Sequence, residues 1–396
     1  MKILTISDVY FPRINGVSTS IKTFYDVFRA EGHELQLIAP RYGDEKEDSE
    51  ILRIPSWGVP FDPEDRTMKP GQIYRHIPHF RQRGFDLVHI QTPFIAHIAG
   101  LKLARQLDLP TVTTYHTFFE EYLFHYVPFA PAGMMRGLAR RYSRTQCNEV
   151  DVVVVPSLAM EERLRRYGVT TRMERIPTGL ELDHFSQGDG ARFRERHGIA
   201  PERPTLTHIS RVAFEKNIDF ILRVLDRVRA EIPDVLLVIA GEGPALNSLK
   251  KTVQNLGLDQ HVLFVGYLSR DDALLDCYRA ADAFVFASRT ETQGLVILEA
   301  MASGLPVVST AVMGTREILE AGKGALVADD DIEDFRAKVV TILRDRELRQ
   351  RLAVEAREYA NEWSNVTMAK RMLDLYREIA DRRNAARPNA TRRSVG

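Results

Sequence analysis

Residues 150–157 read VDVVVVPS, and this stretch decides the fold class. Its valines run without the polar alternation of a strand that has one face in water, which is typical of a central strand covered by helices on both sides. Similar β-branched runs alternate with helical patterns before it: KILTISD, ELQLIAP, DLVHIQT and TVTTYHT. Strands that alternate with helices in this way predict βαβ units and a parallel sheet.

The alternation begins again in the second half with TLTHIS, VLLVIAG, HVLFVG, AFVFAS, PVVST and GALVA. We therefore predict an α/β protein with two doubly wound Rossmann-like domains that face each other across a cleft. The polar, irregular stretch between them is predicted as a linker, and a helix near the C-terminus is predicted to return to the first domain. The predicted bounds are 1–182 for the first domain, 183–203 for the linker, 204–363 for the second domain, 364–381 for the helix and 382–396 for a basic tail.

The composition excludes several classes of protein. With 54 basic and 54 acidic residues in 396, the formal net charge is zero, and no overall field favours nucleic acid as a partner. The two cysteines, Cys147 and Cys277, form neither a CxxC nor a Cys/His cluster, so neither a disulfide framework nor a zinc site is expected. No apolar run reaches membrane-spanning length, and the expected location is the cytoplasm, including the inner surface of the cell membrane.

The most informative motif is ETQGLVILE, which begins at Glu291 and ends at Glu299. Gly294, Leu295 and Val296 would expose backbone N–H groups at a helix start, which suits a phosphate, while carboxylates accept hydrogen bonds from sugar or ribose hydroxyls. The simpler alternative is one acid that complements the helix dipole and one on a solvated face. Because an unpaired carboxylate is costly in so apolar a helix, we expect a ligand to be the partner of Glu299.

Two other strand ends of the second half carry candidate residues. Arg211 and Lys216 follow TLTHIS and would neutralise a diphosphate, since Val212–Phe214 between them offers no helix face to solvate both; surface salt bridges are the alternative. Gly241 and Glu242 lie in a close-approach turn that either contacts a ligand or only connects a strand to a helix.

In the first half, Gly16 opens a helix after the first strand, and its loop either approaches a phosphate or is a turn capped by Ser18. His116, at the end of TVTTYHT, either bonds a sugar hydroxyl or is a buried histidine bonded to backbone.

Together these motifs resemble the retaining glycosyltransferases of family 4, which have the GT-B fold, over nearly the whole chain. The resemblance implies that Arg211 and Lys216 bind the diphosphate of a nucleotide sugar, with Gly294, Leu295 and Val296 adding backbone contacts. It implies that Glu291 contacts the transferred sugar and Glu299 the ribose. It further places Gly16 beside the phosphates, His116 near the reacting carbon, Gly241 and Glu242 in the donor site, and Gly266 and Tyr267 beside the base.

The same resemblance implies transfer with retention of configuration by attack on the face from which the diphosphate leaves, without a nucleophilic Glu291. It implies no metal and no other cofactor, because cations and helix starts stabilise the leaving group. UDP-glucose is the expected donor. One departure from the family's pattern is Asn15–Gly16 in place of paired glycines.

The region 66–144 is cationic in an otherwise neutral protein, with eleven basic residues against four acidic ones. Within it FAPAGMMRGLARRYSR suits either a helix on an anionic membrane or an ordinary amphipathic helix packed on the sheet. Because PRINGVSTSI and TYHTFFEEYLFHY look similar to diacylglycerol glucosyltransferases, we expect a lipid acceptor. The alternatives are a soluble or polyprenol-linked glycan acceptor, a sugar-nucleotide epimerase or hydrolase with the same donor site, and an inactive sugar-nucleotide sensor.

Overall fold

In a computed structural model, the structure describes residues 1–43, 45, 48–59, 62–116, 132–270 and 272–386. The chain divides into two compact units, one of residues 1–179 together with the chain from residue 365, and one of residues 180–364. Among the helices in the described ranges, none is both long enough and apolar enough to span a membrane. Parts of the predicted basic region (117–131) and of the predicted basic tail (387–396) lie outside the described residues.

The first unit contains a seven-stranded parallel sheet with the strand order β3-β2-β1-β6-β7-β8-β9. The strands of this sheet are β1 (Lys2–Ile6), β2 (Glu34–Pro40), β3 (Ile51–Ile54), β6 (Leu87–Ile90), β7 (Thr111–Thr114), β8 (Val152–Val155) and β9 (Arg172–Arg175). Between β3 and β6 in the sequence, β4 (Ser56–Val59) and β5 (Asp62–Met68) form a separate antiparallel pair. The helices before β9 are α1 (Gly16–Ala30), α2 (Pro70–Tyr74), α3 (Ile77–Arg83), α4 (Ile95–Leu107), α5 (Ala132–Asn148) and α6 (Leu158–Arg166). All four residues of β8 are buried, as predicted for a central strand.

The second unit contains a six-stranded parallel sheet with the order β12-β11-β10-β13-β14-β15. Its strands are β10 (Thr205–Ile209), β11 (Leu236–Ala240), β12 (Val262–Gly266), β13 (Ala283–Phe286), β14 (Val307–Thr310) and β15 (Ala325–Ala328). Its helices are α7 (Leu182–Phe185), α8 (Gly190–Arg196), α9 (Ile218–Val228), α10 (Leu246–Asn255), α11 (Asp272–Ala280), α12 (Leu295–Ala302), α13 (Gly314–Leu319), α14 (Ile332–Arg344) and α15 (Arg346–Ala360), with single 3₁₀ turns at Phe214–Lys216 and Asn361–Trp363.

Both sheets are doubly wound, because the chain builds outward in one direction and then returns to build in the other. In the second unit the change of direction lies between β10 and β13, which are neighbours in the sheet. At such a point the loops after the two strands diverge and leave a crevice at the carboxyl end of the sheet, where ligands of this fold class bind. The topology therefore directs attention to the loops that follow β10 and β13.

The last described helix, α16 (Asn365–Ala386), belongs to the first unit and packs on α1. Met372 and Tyr376 of α16 lie in the same core cluster as Phe24 and Phe28 of α1, and the rings of Phe28 and Tyr376 are 5.9 Å apart. The apolar stripe of α16 therefore covers one face of the first sheet.

Residues 183–203 are not a free linker, contrary to the prediction from sequence. They form α7 and α8 in the second unit, where Phe185, Phe193 and Ile199 lie in the core cluster that also contains Tyr278. Burial of three apolar side chains stabilises this segment against the sheet. The polar residues that suggested a loop are the outer sides of two short helices, and Asp189 caps the second by accepting from the backbone of Ala191.

Candidate functional site

Two loops meet at the point where the second sheet changes direction. Lys216 follows β10, Glu291 follows β13, and the Lys216 Nζ donates a hydrogen bond to Glu291 Oε1 over 2.5 Å. Both side chains are largely buried, at 18% and 16% exposed. The structure thus brings together a cation and a carboxylate that are 75 positions apart in the sequence, at the crevice expected from the topology.

Arg211 lies in the same loop as Lys216 but has a different partner. Its guanidinium forms an i,i+4 ion pair with Glu215, and its side chain is 60% exposed. Between the two cations, Val212 and Ala213 are buried, and Phe214–Lys216 forms a single 3₁₀ turn. Arg211 is therefore a solvated cation beside a more buried one, and the structure itself supplies the salt-bridge partner.

The start of α12 has the geometry expected for close approach of a ligand to the backbone. Gly294 is the N-cap in a left-handed conformation (φ 89°), and a Cβ at this position would lie 2.8 Å from the Thr315 side chain. Leu295 and Val296 follow as the first helical residues and are half-buried. Since the first N–H groups of a helix have no partner within the helix, this end presents donors and the positive end of the helix dipole.

Glu299 is buried on α12 but is not an unpaired carboxylate. Arg270 donates to its Oε1 over 2.5 Å, and the hydroxyl of Tyr278 donates to its Oε2 over 2.9 Å. Burial and the neighbouring carboxylate raise the pKa of Tyr278 well above its usual range, so the phenol stays protonated as a donor. The premise that Glu299 would be unpaired without a ligand is wrong, because Arg270, before α11, and Tyr278, of α11, supply two partners. The contact of Glu299 with a ligand stays a prediction.

The glycines of the turn after β11 lie close to the backbone of the neighbouring loop that contains Arg211. A Cβ at Gly241 would lie 1.9 Å from the carbonyl oxygen of Ser210, and one at Gly243 would lie 2.4 Å from that of Val212. The carbonyl of Glu242 also accepts from the N–H of Val212 over 2.8 Å. This turn therefore presses on the Arg211 loop and supports it, which is a structural reason for two glycines at these positions.

The strand β12 ends at Gly266, which has a left-handed conformation (φ 72°). Gly266 accepts a hydrogen bond from the N–H of Gly241 over 2.7 Å, so this turn adjoins the one after β11. The next residue, Tyr267, is 63% exposed. An exposed aromatic ring beside the other loops of the same sheet edge can stack on a planar group.

In the first unit, Gly16 is the first residue of α1, and nothing lies within 4 Å of a Cβ placed on it. Asn15, not Ser18, caps the helix: its side chain accepts from the Ser18 N–H over 2.8 Å. The alternative of a Ser18 cap is wrong because a cap side chain must lie before the first turn to reach its free N–H groups.

His116 is partly buried, and its Nε2 lies 2.7 Å from the amide oxygen of Gln91. Burial lowers the pKa of His116 to about 4, so the ring is neutral near pH 7. Its partner is thus a side chain, not the backbone group of the simpler prediction. Residues 117–131, which follow it, lie outside the described residues.

Four polar residues at these sites were missed from the sequence: Arg270, Tyr278, Gln91 and Asp8. Asp8 follows β1, and its carboxylate accepts from the Thr92 hydroxyl and from the N–H of Ala96 at the start of α4. Burial raises the pKa of Asp8 to about 6. Both Asp8 and Gln91 follow buried strands, so the rule that singled out His116 applies to them as well. Nothing in the local sequence marks Arg270 or Tyr278.

Within the described residues, no group of three or more His, Cys, Asp or Glu side chains is placed to hold a metal ion. The independence from metal expected from the sequence stays a prediction.

Comparison with known proteins covers both units. The model of Glycosyltransferase Family 4 matches residues 14–184, and that of Glycosyl transferases group 1 matches residues 189–359. A protein of Streptococcus pneumoniae described as alpha-monoglucosyldiacylglycerol synthase is 37% identical over 318 residues, which cover 78% of this chain and 71% of that protein. A protein of Acholeplasma laidlawii with the same description is 26% identical over 400 residues, which cover 97% and 98%.

Among solved structures, HepE of Anabaena in complex with UDP aligns with a TM-score of 0.76 at 17% identity, over 96% of this chain and 100% of that one. The same protein was also crystallised with UDP-glucose, and that structure aligns with a TM-score of 0.73. At this identity the likeness shows the fold alone. The predicted fold, GT-B with two Rossmann-like units, is confirmed.

Proposed function

Because this chain belongs to glycosyltransferase family 4 and is a glycosyltransferase, we propose that it transfers glucose from UDP-glucose to the free hydroxyl of diacylglycerol with retention of configuration. The bond from the anomeric carbon to the β-phosphate oxygen breaks, UDP leaves, and the acceptor oxygen bonds to the same face of that carbon. The acceptor's proton passes to the departing phosphate. The descriptions of the two relatives support this donor sugar and this acceptor.

The observation that carries the proposal is the Lys216–Glu291 pair where the second sheet changes direction. A departing diphosphate needs positive charge that is in place before the bond breaks, and the largely buried ammonium of Lys216 supplies it with little reorganisation. Arg211 adds a second cation that can grip phosphate with two parallel hydrogen bonds. Glu291 holds Lys216 in position and accepts from hydroxyls of the transferred glucose.

The start of α12 would contact the phosphates and sugar through the N–H groups of Gly294, Leu295 and Val296. A backbone cradle of this kind requires close approach, and the left-handed Gly294 packed on Thr315 sets its shape.

Glu299, about one helical turn after Leu295 in the same motif, would accept hydrogen bonds from the ribose hydroxyls. An ionised carboxylate has about four lone-pair sites, so contacts with Arg270 and Tyr278 leave sites for a ribose. The two internal donors hold the carboxylate in one orientation before the nucleotide arrives.

The turn of Gly241 and Glu242 would line the donor site, and Gly266 with the exposed ring of Tyr267 would flank the uracil. From the first unit, Gly16 would lie beside the phosphates, and the neutral His116 would bond a hydroxyl of the transferred sugar. No metal is required in this scheme, because Lys216, Arg211 and the helix start take its place.

A lipid acceptor requires access to a membrane, and the exposed side of α4 fits that requirement. Ile98 is 58% exposed, and Lys102 and Arg105 follow on the same side of the helix. The neighbouring α5 reaches the start of α4 through a hydrogen bond from the Tyr142 hydroxyl to the Pro93 carbonyl over 2.7 Å. Apolar side chains beside basic ones are typical of surfaces that lie on anionic lipid.

On α5, Leu138 is 54% exposed, and Arg140, Arg141 and Arg144 of the same helix are also exposed. Each basic side chain near an anionic surface contributes about 1 kcal/mol to binding. We therefore place the contact with the cytoplasmic face of the membrane on α4 and α5.

The proposed activity is tested with the full chain, a panel of nucleotide sugars, and vesicles that contain diacylglycerol, with products identified by mass spectrometry. We expect a monoglucosylated lipid from UDP-glucose. Conversion or hydrolysis of the nucleotide sugar at the full rate without any acceptor would make the protein an epimerase or hydrolase and overturn the proposal. Transfer only to a soluble or polyprenol-linked glycan would overturn the lipid acceptor and leave the donor site intact.

The membrane surface is tested by vesicle flotation with Ile98→Glu and a matched control, Val354→Glu, since Val354 is an exposed valine (51%) in the second unit. Ile98→Glu is expected to weaken binding to anionic vesicles, and Val354→Glu is expected to leave it unchanged. Equal binding of both variants and the wild type, or no binding at low salt, would contradict this assignment.

A further inference from the structure

A buried network of polar side chains lies behind His116 and reaches the C-terminal helix. Gln91 contacts His116 through its amide oxygen and His89 through its amide nitrogen, at 2.7 and 3.1 Å. His89 in turn contacts the hydroxyls of Thr114 and Tyr376, at 2.7 and 2.5 Å. His89, Gln91 and Tyr376 are 3%, 7% and 1% exposed, so these three members of the network are buried from water, whereas Thr114 and His116 are partly exposed.

The order of strands explains why these residues meet. The neighbouring strands β6 and β7 are parallel, with His89 opposite Val112 and Ile90 opposite Thr113. Gln91 and His116 both follow the carboxyl ends of these strands. Tyr376 comes from α16, 287 residues from its partner His89.

The directions of the hydrogen bonds determine one tautomer of His116. Because the amide oxygen of Gln91 can only accept, His116 must donate to it from Nε2–H. A neutral imidazole carries one proton, so Nδ1 of His116 bears the lone pair. One step further away, the amide nitrogen of Gln91 can only donate, so His89 accepts from it; this nitrogen lies 3.1 Å from Nδ1 and 3.3 Å from Nε2 of His89. The hydroxyls of Thr114 and Tyr376, which complete the surroundings of the His89 ring, can each donate or accept.

Burial keeps every member of the network neutral near pH 7. It lowers the pKa of His116 to about 4 and, together with the nearby His116, that of His89 to about 3. Burial also raises the pKa of Tyr376 well above its usual range, with a further contribution from Tyr25. The hydrogen-bond directions therefore do not change with protonation across the physiological range.

We propose that Gln91, oriented by His89 and Tyr376, is a positioning residue that holds His116 as the Nε2–H tautomer, so that Nδ1 accepts a hydrogen bond from a hydroxyl of the transferred sugar. This inference rests on the proposed function and links His116 to the C-terminal helix α16, which belongs to the same unit. It specifies the group that His116 recognises: a hydrogen-bond donor, not an acceptor.

Two substitutions of Gln91 test the proposal, with isotope-labelled histidine and nitrogen NMR on the full chain. Gln91→Leu removes the acceptor, so the His116 signals should lose the Nε2–H pattern and kcat should fall by about 10- to 100-fold, with the KM for UDP-glucose nearly unchanged. Gln91→Glu keeps an acceptor but stabilises the imidazolium, which raises the pKa of His116 by about one unit or more. Since only the neutral ring can accept, the acid limb of kcat against pH should move to higher pH.

Thr113→Val is the matched control, because Thr113 is a buried threonine of β7 that donates to the Ile90 carbonyl and lies outside the network. It should change neither the tautomer of His116 nor the acid limb. Tyr376→Phe should weaken the preference for one tautomer of His116 without adding a charge.

An unchanged His116 tautomer in Gln91→Leu would overturn the proposal, and so would a pH profile of Gln91→Glu that superimposes on that of the wild type. The NMR measurement needs no turnover, so a wild type without transferase activity would contradict the proposed function while the tautomer could still be read.

Discussion

The hydrogen bond from Tyr278 to Glu299 allows a quantitative test of how the donor site is held before a nucleotide binds. Tyr278 is fully buried, and the Glu299 side chain is 5% exposed. A buried hydrogen bond to a charged group contributes about 1.5 to 3 kcal/mol, so Tyr278→Phe should lower the free energy of unfolding by that amount. Since Arg270 still pairs with Glu299 in the variant, we expect the lower half of this range.

A variant that lacks the charge of Glu299 provides the reference for this measurement of unfolding free energy. In a Glu299→Gln background the bond from Tyr278 is neutral and contributes about 0.5 to 1.5 kcal/mol, so Tyr278→Phe should cost less there. At about 2 to 4 °C per kcal/mol for a unit of this size, Tyr278→Phe alone should lower the melting temperature of the second unit by about 3 to 9 °C.

Calorimetry of the full chain, with and without UDP, measures these differences in all four proteins of the cycle. UDP should stabilise the wild type more than Tyr278→Phe if the tyrosine orients the carboxylate for ribose. An equal cost of Tyr278→Phe in both backgrounds, or no cost in either, would refute the idea that the phenol acts through the charge of Glu299.

Three further predictions concern other parts of the chain. Lys216→Ala should lower kcat by about 100-fold or more with the fold intact, because one preorganised cation at a leaving group contributes about 3 kcal/mol; steady-state kinetics measure it. Gly241→Ala should destabilise the second unit by more than about 2 kcal/mol, because its Cβ would lie 1.9 Å from the Ser210 carbonyl oxygen; urea unfolding measures it. Because the pKa of Asp8 is raised from 3.8 to about 6, its ionisation costs native-state stability as the pH rises through this interval. Asp8→Asn should therefore gain up to about 3 kcal/mol relative to the wild type between pH 4 and pH 7, measured by urea unfolding against pH.

Control variants distinguish these specific effects from a general loss of activity or stability. Lys323→Ala removes an exposed ion pair of the second unit, with Glu362 at 3.0 Å, and should leave kcat unchanged. Gly137→Ala places a Cβ in open space on α5 and should not destabilise the protein. Wild-type turnover in Lys216→Ala would contradict the proposed donor site. A tolerated Gly241→Ala would contradict the packing of the two turns, and a constant Asp8→Asn difference across the pH range would contradict the raised pKa.

Local sequence patterns were sufficient to predict the two parallel sheets. A strand with one covered face alternates apolar and polar residues, whereas a strand covered on both faces is apolar throughout. The valines of β8 and the apolar strands of the second half follow the second pattern. The boundary between the units was harder to place, because α7 and α8 each bury only one phenylalanine and are otherwise polar. Their assignment to the second unit depends on a core that the rest of the chain builds.

The partners of the polar residues were decided by the tertiary structure. Local reasoning could identify Glu291 and Glu299 as unusual, but not that Lys216 pairs with the first or that Arg270 and Tyr278 satisfy the second. Such pairs join loops that follow different strands, and the order of strands in a sheet is not the order in the sequence.

The motif from Glu291 to Glu299 therefore has two levels of explanation. Its sequence alone determined that a helix starts at a glycine between two carboxylates, because backbone conformation and apolar periodicity are local properties. Only the tertiary structure decided which charge meets each carboxylate, and likewise that a tyrosine 287 residues away reaches His89 behind His116. Hydrogen bonds and ion pairs act over a few ångströms in space, and the fold, not the spacing along the chain, sets those distances.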